Sequence, residues 1–117
     1  MRRPKPGMTA SQGAAGEQLF WILAEDLLED PAVTRSTMMG YPCLRADGAF
    51  FACVERNTGH LIVKLPAARV TDLIMRGQAL PFAPNGRVFR EWAALPVPDN
   101  DEWTALLEEG RSFVTER

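Results

Sequence analysis

Residues 43–66 read CLRADGAFFACVERNTGHLIVKLP, and two turn signals divide this segment into three short apolar runs. Asp47-Gly48 lies between the first two runs, a pattern typical of a two-residue hairpin turn. Asn57-Thr58-Gly59 comes next, and the chain returns through residues 60–65. The segment therefore predicts two successive antiparallel hairpins, which together form a β-meander.

The register of the second hairpin depends on the length of its turn. A two-residue Thr58-Gly59 turn places Val54 opposite Val63 and Ala52 opposite Leu65. We favour this register because it gathers the largest number of apolar side chains on one side of the sheet. The predicted apolar face comprises Phe50, Ala52, Val54, Leu61, Val63 and Leu65, and the other face carries Phe51, Cys53, Ile62 and Lys64.

Helices and further strands are predicted on both sides of this meander. Apolar spacing predicts a helix over residues 14–30, Pro66 opens a second helix, and Asp99 or Asp101 caps a third. Strands are expected over residues 33–39 and 88–95, and residues 78–86 are predicted to form a loop. The order α-β-β-β(-β)-α-β-α predicts the α+β class, with an antiparallel β-meander sheet packed against helices.

The length of 117 residues fits one domain. Residues 1–13 lack apolar periodicity and predict a disordered N-terminal tail, which leaves residues 14–117 as a single α+β domain. The basic N-terminus is not followed by the apolar run of a secretory signal, and no run approaches the length of a membrane span. We therefore expect a cytoplasmic protein that does not bind membranes.

Charge is unevenly distributed along the chain, although the formal net charge is only −2. Residues 14–30 and 99–117 carry net charges of −5 and −4, whereas residues 31–98 carry +4. The terminal helices are thus acidic and the sheet region is basic. Such asymmetry can steer a polyanion to one face of a protein. The alternative is a set of solvated faces with mixed charge.

Cys43 and Cys53 lie on neighbouring predicted strands. A two-residue Asp47-Gly48 turn places Cys43 opposite Ala52, so that Cys53 points to the other face of the sheet. We therefore predict two buried free thiols and no disulfide.

The segment from Gly40 to Trp92 resembles the YjbR/MmcQ and TfoX N-terminal group of small bacterial domains, and the likeness extends over most of residues 14–115. The features that carry it are Asp47-Gly48 before Phe50-Phe51-Ala52, the run Leu61 to Pro66, Arg69 ahead of a leucine-bearing helix, and Glu91-Trp92 before a proline-rich step. The resemblance implies an α+β fold with an antiparallel sheet backed by helices. It also implies DNA binding, which is the label many members carry, or a regulatory role like that of the TfoX competence regulators.

Catalytic and metal-binding signatures are not found in this sequence. It contains no P-loop, no dinucleotide-binding glycine motif, no nucleophile elbow and no Cys-x-x-Cys pair. His60 is the only histidine, and its place after a turn glycine predicts a solvated hairpin residue. We therefore expect a protein that is not an enzyme and that needs no metal or other cofactor.

The predicted strand from Gly86 to Trp92 is the strongest site candidate, because alternation would place Arg90 and Trp92 on one face. A cation beside an aromatic ring is suited to stacking on a base or binding a peptide. The alternative is that Trp92 is part of the core and that the Arg90 side chain extends past it to solvent. We predict a non-enzymatic binding module for DNA or a protein partner. The alternative is a protein-interaction module or homodimer that uses a sheet edge and the Phe89/Trp92 region. The predicted binding residues are Arg45, Lys64, Arg69, Arg87, Arg90 and Trp92.

Overall fold

The computed structural model describes the backbone of residues 8–116 and the side chains from residue 14 to residue 116. In that part of the chain, three helices accompany a six-stranded antiparallel sheet, which confirms the predicted α+β class. The elements are α1 (Met8–Leu27), β1 (Val33–Met38), β2 (Tyr41–Ala46), β3 (Ala49–Val54), β4 (Leu61–Lys64), α2 (Ala67–Met75), β5 (Leu80–Pro81), β6 (Trp92–Leu95) and α3 (Asn100–Glu116).

The strands lie in the order β1-β2-β3-β4-β6-β5, so that β1 and β5 form the two edges of the sheet. Helix α1 begins at Met8, earlier than predicted, and ends at Leu27. Residues 8–13 of the predicted disordered tail are therefore helical, and the prediction for residues 1–7 lies outside the described residues. Helix α3 is capped by Asp99, whose Oδ1 accepts a hydrogen bond of 2.8 Å from the Glu102 amide.

The first hairpin turns at Asp47-Gly48, as predicted, with φ angles of 52° and 83° that suit a type I′ turn. Its register nevertheless differs from the prediction. An irregularity beside Leu44 and Arg45 gives β3 one extra residue, so that Leu44 lies opposite Ala52 and Arg45 opposite Phe50. Cys43 therefore lies opposite Cys53, and the prediction that the two cysteines point to opposite faces is wrong.

The second hairpin has a longer turn than predicted. The His60 carbonyl accepts a bond of 3.0 Å from the Glu55 amide, and Val54 lies opposite Leu61 instead of Val63. The predicted register is thus wrong by two residues, and Lys64 lies opposite Trp92 in β6. Because side chains alternate with a period of two, this shift leaves each residue of β4 on its predicted face.

All three helices pack on one side of the sheet. The main core joins Phe20 and Ala24 of α1, Val70 and Leu73 of α2, and Trp103 of α3 to side chains of the strands. The bulge turns Phe51 into this core and Phe50 away from it, which reverses the prediction for these two phenylalanines. The helix side of the sheet contains the predicted residues Ala52, Val54, Leu61, Val63 and Leu65.

A second, smaller cluster lies on the other side of the sheet. Among the described side chains, none of its members comes from a helix. We call this side the open face and define it by the cluster together with the two cations that the register adds to it. Its residues are Met38, Cys43, Arg45, Phe50, Cys53, Ile62, Lys64, Phe82, Trp92 and Ala94.

The chain between β5 and β6 contradicts the predicted strand over residues 88–95. Regular pairing begins only at Trp92, and residues 82–91 form an irregular segment, which we call the 82–91 loop. The loop closes on itself, because the Phe89 amide donates to the Phe82 carbonyl and the Trp92 amide donates to the Phe89 carbonyl. The backbone groups in these bonds are therefore paired within the loop and not with a neighbouring strand, as they would be in a longer β6. In the predicted loop over residues 78–86, Leu80 and Pro81 form the short strand β5.

Candidate binding face

The candidate site is built on the open face, where two cations lie over two aromatic rings. Strand β2 supplies Arg45 and β3 supplies Phe50, whereas β4 supplies Lys64 and β6 supplies Trp92. Each cation faces its ring because the antiparallel register makes Arg45 and Phe50 direct neighbours, and likewise Lys64 and Trp92. The register of the sheet therefore brings together three of the predicted binding residues on one face: Arg45, Lys64 and Trp92.

The pair of Arg45 and Phe50 lies nearer the β1 edge of the sheet. The guanidinium carbon of Arg45 is 4.3 Å from the centre of the Phe50 ring, which is close enough for a cation–π interaction. The Nε–H group of Arg45 is buried and donates to no partner among the described residues. Both side chains are half-buried, and no ion pair within the described chain neutralises this arginine. Its charge thus remains available to a ligand.

The pair of Lys64 and Trp92 lies nearer the opposite edge. The Lys64 ammonium is 5.3 Å from the centre of the Trp92 ring and 3.4 Å from an oxygen of Glu91. Only 17% of the lysine side chain is exposed. Glu91 therefore offsets most of this charge, and Lys64 contributes less to an anion site than the sequence predicts.

The 82–91 loop, which leads into β6 at Trp92, carries two exposed arginines, Arg87 and Arg90. Arg87 lies 5.9 Å from the centre of the Phe89 ring, and Phe89 packs edge-on against Phe82 at 5.8 Å. Arg90 has no ion pair within the part of the chain that the structure describes. The predicted alternation of residues 86–92 across a strand is therefore wrong, although Arg87 and Arg90 remain exposed as a binding role requires.

Arg90 and Trp92 also line a groove between α2 and the 82–91 loop. The groove has a volume of 370 Å³, and its walls are mainly apolar. Val88 and Leu80, which lie in the same region of the chain, expose 56% and 47% of their surfaces. Lining residues include Val70, Ile74, Pro81, Val88, Arg90 and Trp92.

Arg69 does not join this face. It lies on α2 and makes a two-pronged contact with Glu109 of α3, at 2.9 and 3.1 Å, while a third nitrogen donates to Asp72 at 3.0 Å. The hydrogen bond to Glu109 and the charge of Asp72 raise the pKa of Arg69 above its usual value. Both acidic partners neutralise Arg69, so this predicted binding residue instead joins α2 to α3.

The charges of α1 and α3 are opposite in sign to those around the open face. Helix α1 carries Glu17, Glu25 and Asp26 with no basic residue in its sequence, and α3 carries five acidic residues against Arg111. By contrast, the open face and the 82–91 loop carry Arg45, Lys64, Arg87 and Arg90 against Glu91. The fold thus converts the charge pattern of the sequence into two sides of opposite sign.

The cysteines and the histidine form no catalytic or metal-binding group among the described residues. Cys43 and Cys53 are both buried and free, which confirms the predicted free thiols although the predicted register was wrong. Burial lowers the pKa of His60 below its usual value of 6.5, against an opposing effect of Glu55. No group of three metal-ligating side chains occurs among the described residues.

Two contributors to the face were missed from the sequence. Phe50 was assigned to the core, and Phe82 was placed in a plain loop. The aromatic residue after Asp47-Gly48 could have signalled a ring beside Arg45, but the bulge that exposes it has no signature in the sequence.

No helix within the described residues is long and apolar enough to cross a membrane. No family model, no curated protein and no solved structure matches this chain.

Proposed function

We propose that this protein is a non-enzymatic binding module that holds single-stranded nucleic acid on its open face, weakly and without strong sequence preference. A regulatory role in the cytoplasm of a bacterium, as the resemblance to YjbR/MmcQ and TfoX N-terminal domains implies, belongs to the same proposal. The observation that carries it is the opposite charge of the two sides of the molecule. A polyanion would approach the basic open face and be repelled from the acidic helices.

The aromatic rings favour a single strand over a duplex. Phe50, Trp92 and Phe89 each lie beside a cation, and bases of a single strand can stack on such rings whatever their identity. A duplex keeps its bases stacked on one another and offers mainly phosphates. Because stacking and phosphate contacts carry little sequence information, the proposed binding has little sequence preference.

The strength of binding follows from the number of cations that are free to meet phosphates. Arg45, Arg87 and Arg90 have no ion pair among the described residues, whereas Lys64 is already paired with Glu91. Three phosphate contacts predict that the logarithm of the affinity falls by about 2 units for each tenfold rise in salt. This slope is shallow for a nucleic-acid-binding protein, and it agrees with weak binding.

Fluorescence anisotropy with a labelled single-stranded oligonucleotide, across a salt series, tests the proposal. Replacing Arg87 and Arg90 together by alanine should reduce the salt slope by roughly one to two units. The matched control replaces Arg76, which caps the end of α2, and Arg111 of α3; it removes the same charge and should leave the slope unchanged. No binding at low salt, or an equal effect of both double variants, would contradict the proposal.

The groove supports a second candidate function, a protein-interaction module or homodimer. Its apolar lining and the exposed Val88 and Leu80 are typical of a protein contact. The β5 edge is only two residues long and contains Pro81, so the groove is a better contact site than this edge.

Light scattering after size exclusion, over a range of protein concentrations, tests the homodimer form. A dimer that Val88→Asp returns to monomer would support the second candidate. A wild-type protein that stays monomeric throughout would contradict this form of it.

A further inference from the structure

Two cysteines face each other in the middle of the open face. Cys43 of β2 and Cys53 of β3 are direct partners in the antiparallel register, and both are fully buried. The Cys43 thiol donates to the Tyr41 carbonyl at 3.3 Å. Neither thiol has a part in the binding function proposed above, so the pair requires its own explanation.

The register places the two residues within reach of a disulfide. Directly opposite residues of antiparallel strands have Cα atoms roughly 4.5–5.5 Å apart, which lies inside the range of about 4.4–6.8 Å found in disulfides. Their Cβ atoms, at roughly 4.5–5.5 Å, must move slightly closer to reach the disulfide range of about 3.5–4.5 Å. Such a bond would form with little movement of the backbone and would carry some strain, which favours its reduction.

We propose that Cys43 and Cys53 are a reversible oxidation site, at which a peroxide converts the dithiol to a disulfide and a dithiol reductant restores it. The proposal does not depend on which ligand the open face binds.

The two thiols differ in a way that sets the order of the reaction. The hydrogen bond from Cys53, with help from Arg45, holds the pKa of Cys43 below its usual value of 9.0. The same hydrogen bond and burial raise the pKa of Cys53. Cys43 is therefore the first nucleophile and Cys53 the second.

The reaction balances with one peroxide. The Cys43 thiolate attacks one peroxide oxygen, the O–O bond breaks, and hydroxide leaves, so that Cys43 becomes a sulfenic acid. The Cys53 thiolate then attacks Cys43 Sγ, the S–O bond breaks, and a second hydroxide leaves. The protons of the two thiols convert both hydroxides to water. Two thiols are thus oxidised, and the peroxide is reduced to two waters.

Access to the thiols depends on how the open face is covered. The cluster that contains both thiols packs against Met38, Phe50 and Trp92, which are themselves partly exposed, and against no helix within the described chain. Rotation of these side chains admits a molecule as small as hydrogen peroxide without unfolding of the helix side. The same position in the main core would require a helix to leave the sheet.

Treatment of the native protein with hydrogen peroxide, followed by counting of thiols in denaturant, tests the proposal. The thiol count should fall from two to zero, with a loss of about 2 Da in mass for one disulfide. Trypsin cleaves after Arg45, so a digest without reductant should yield residues 36–45 linked to residues 46–56. Closing a loop of about ten residues should raise Tm by about 10 °C, and dithiothreitol should reverse the rise.

Cys43→Ser and Cys53→Ser are the matched controls. Cys53→Ser should accumulate a Cys43 sulfenic acid that a dione probe traps, whereas Cys43→Ser should react much more slowly. The wild-type digest decides the question even if a variant fails to fold. Thiols that remain intact in the native protein, or that form only links between chains, would overturn the proposal.

Discussion

Helix α3 lies so close to the sheet that only glycine fits at residue 110. A Cβ atom at Gly110 would lie 2.8 Å from Val63 Cγ2 and 2.9 Å from the Lys64 carbonyl oxygen, whereas ordinary van der Waals contacts are 3.4–4 Å. The Phe51 carbonyl oxygen would be only 3.3 Å away. The two carbonyls belong to the backbone of the sheet and cannot move without disturbing the strands. Gly110→Ala should therefore push α3 away from the helix side of the sheet.

Two opposing effects determine the magnitude. Alanine in place of glycine inside a helix stabilises it by about 1 kcal/mol. Overpacking of a tight contact costs about 1–3 kcal/mol, and contacts with backbone atoms belong at the upper end of this range. The expected net loss in the free energy of unfolding is about 1–2 kcal/mol, which corresponds to a fall in Tm of about 4–8 °C.

Urea unfolding followed by tryptophan fluorescence measures this change. Thr104→Ala, at an exposed position of the same helix, is the control and should not destabilise the protein by more than about 0.5 kcal/mol. A Gly110→Ala variant as stable as the wild type, or more stable, would refute the close approach of α3 to β3 and β4.

Three further predictions concern single side chains. Arg69→Ala should lower the free energy of unfolding by no more than about 1 kcal/mol, since the ion pair of Arg69 with Glu109 is partly exposed. The same variant should leave the salt slope of nucleic-acid binding unchanged, and a reduced slope would show that Arg69 belongs to the binding site. Met39→Gly should stabilise the protein by up to about 1 kcal/mol in urea unfolding, because Met39 has a φ of 54° that glycine adopts without strain, and a loss of stability would contradict this. The depressed pKa of His60 stabilises the fold above the ordinary value of 6.5, and this stabilisation is lost as pH falls through the folded-state pKa. Stability measured at about pH 7.5 and about pH 5 should therefore fall more in the wild type than in His60→Gln, and equal falls would refute the assignment.

The sequence predicts the first turn of the meander and most of its faces, because these depend on local residues. Asp47-Gly48 adopts the φ angles that its turn type needs, and alternation assigns most of β3 and β4 to the correct face. The register of the first hairpin was wrong because one extra residue in β3 changes every pairing beyond it. The bulge reverses Phe50 and Phe51, and nothing in the sequence distinguishes these adjacent phenylalanines.

The candidate site was only partly predictable, because the sequence shows where an arginine lies in the chain but not which acidic residue neutralises it in the fold. Arg45, Arg87 and Arg90 have no ion pair among the described residues. Arg69 is neutralised by Glu109, which is 40 residues away in the sequence and comes close only through the packing of α2 on α3. The alternation of residues 86–92 resembles a strand, but hydrogen bonds within the 82–91 loop give this segment a different backbone path.

The three tryptophans test the central claim most directly, because each reports on a different part of the fold. Trp92 lies on the open face, Trp21 lies on α1 beneath Arg35, and Trp103 is buried in the main core. Titration of a single-stranded oligonucleotide into ¹⁵N-labelled protein, at low salt, follows all three indole N–H signals in one spectrum. Binding to the open face should move the Trp92 signal and leave those of Trp21 and Trp103 in place. An unmoved Trp92 signal, or a shift at Trp21 alone, would contradict the proposed binding face.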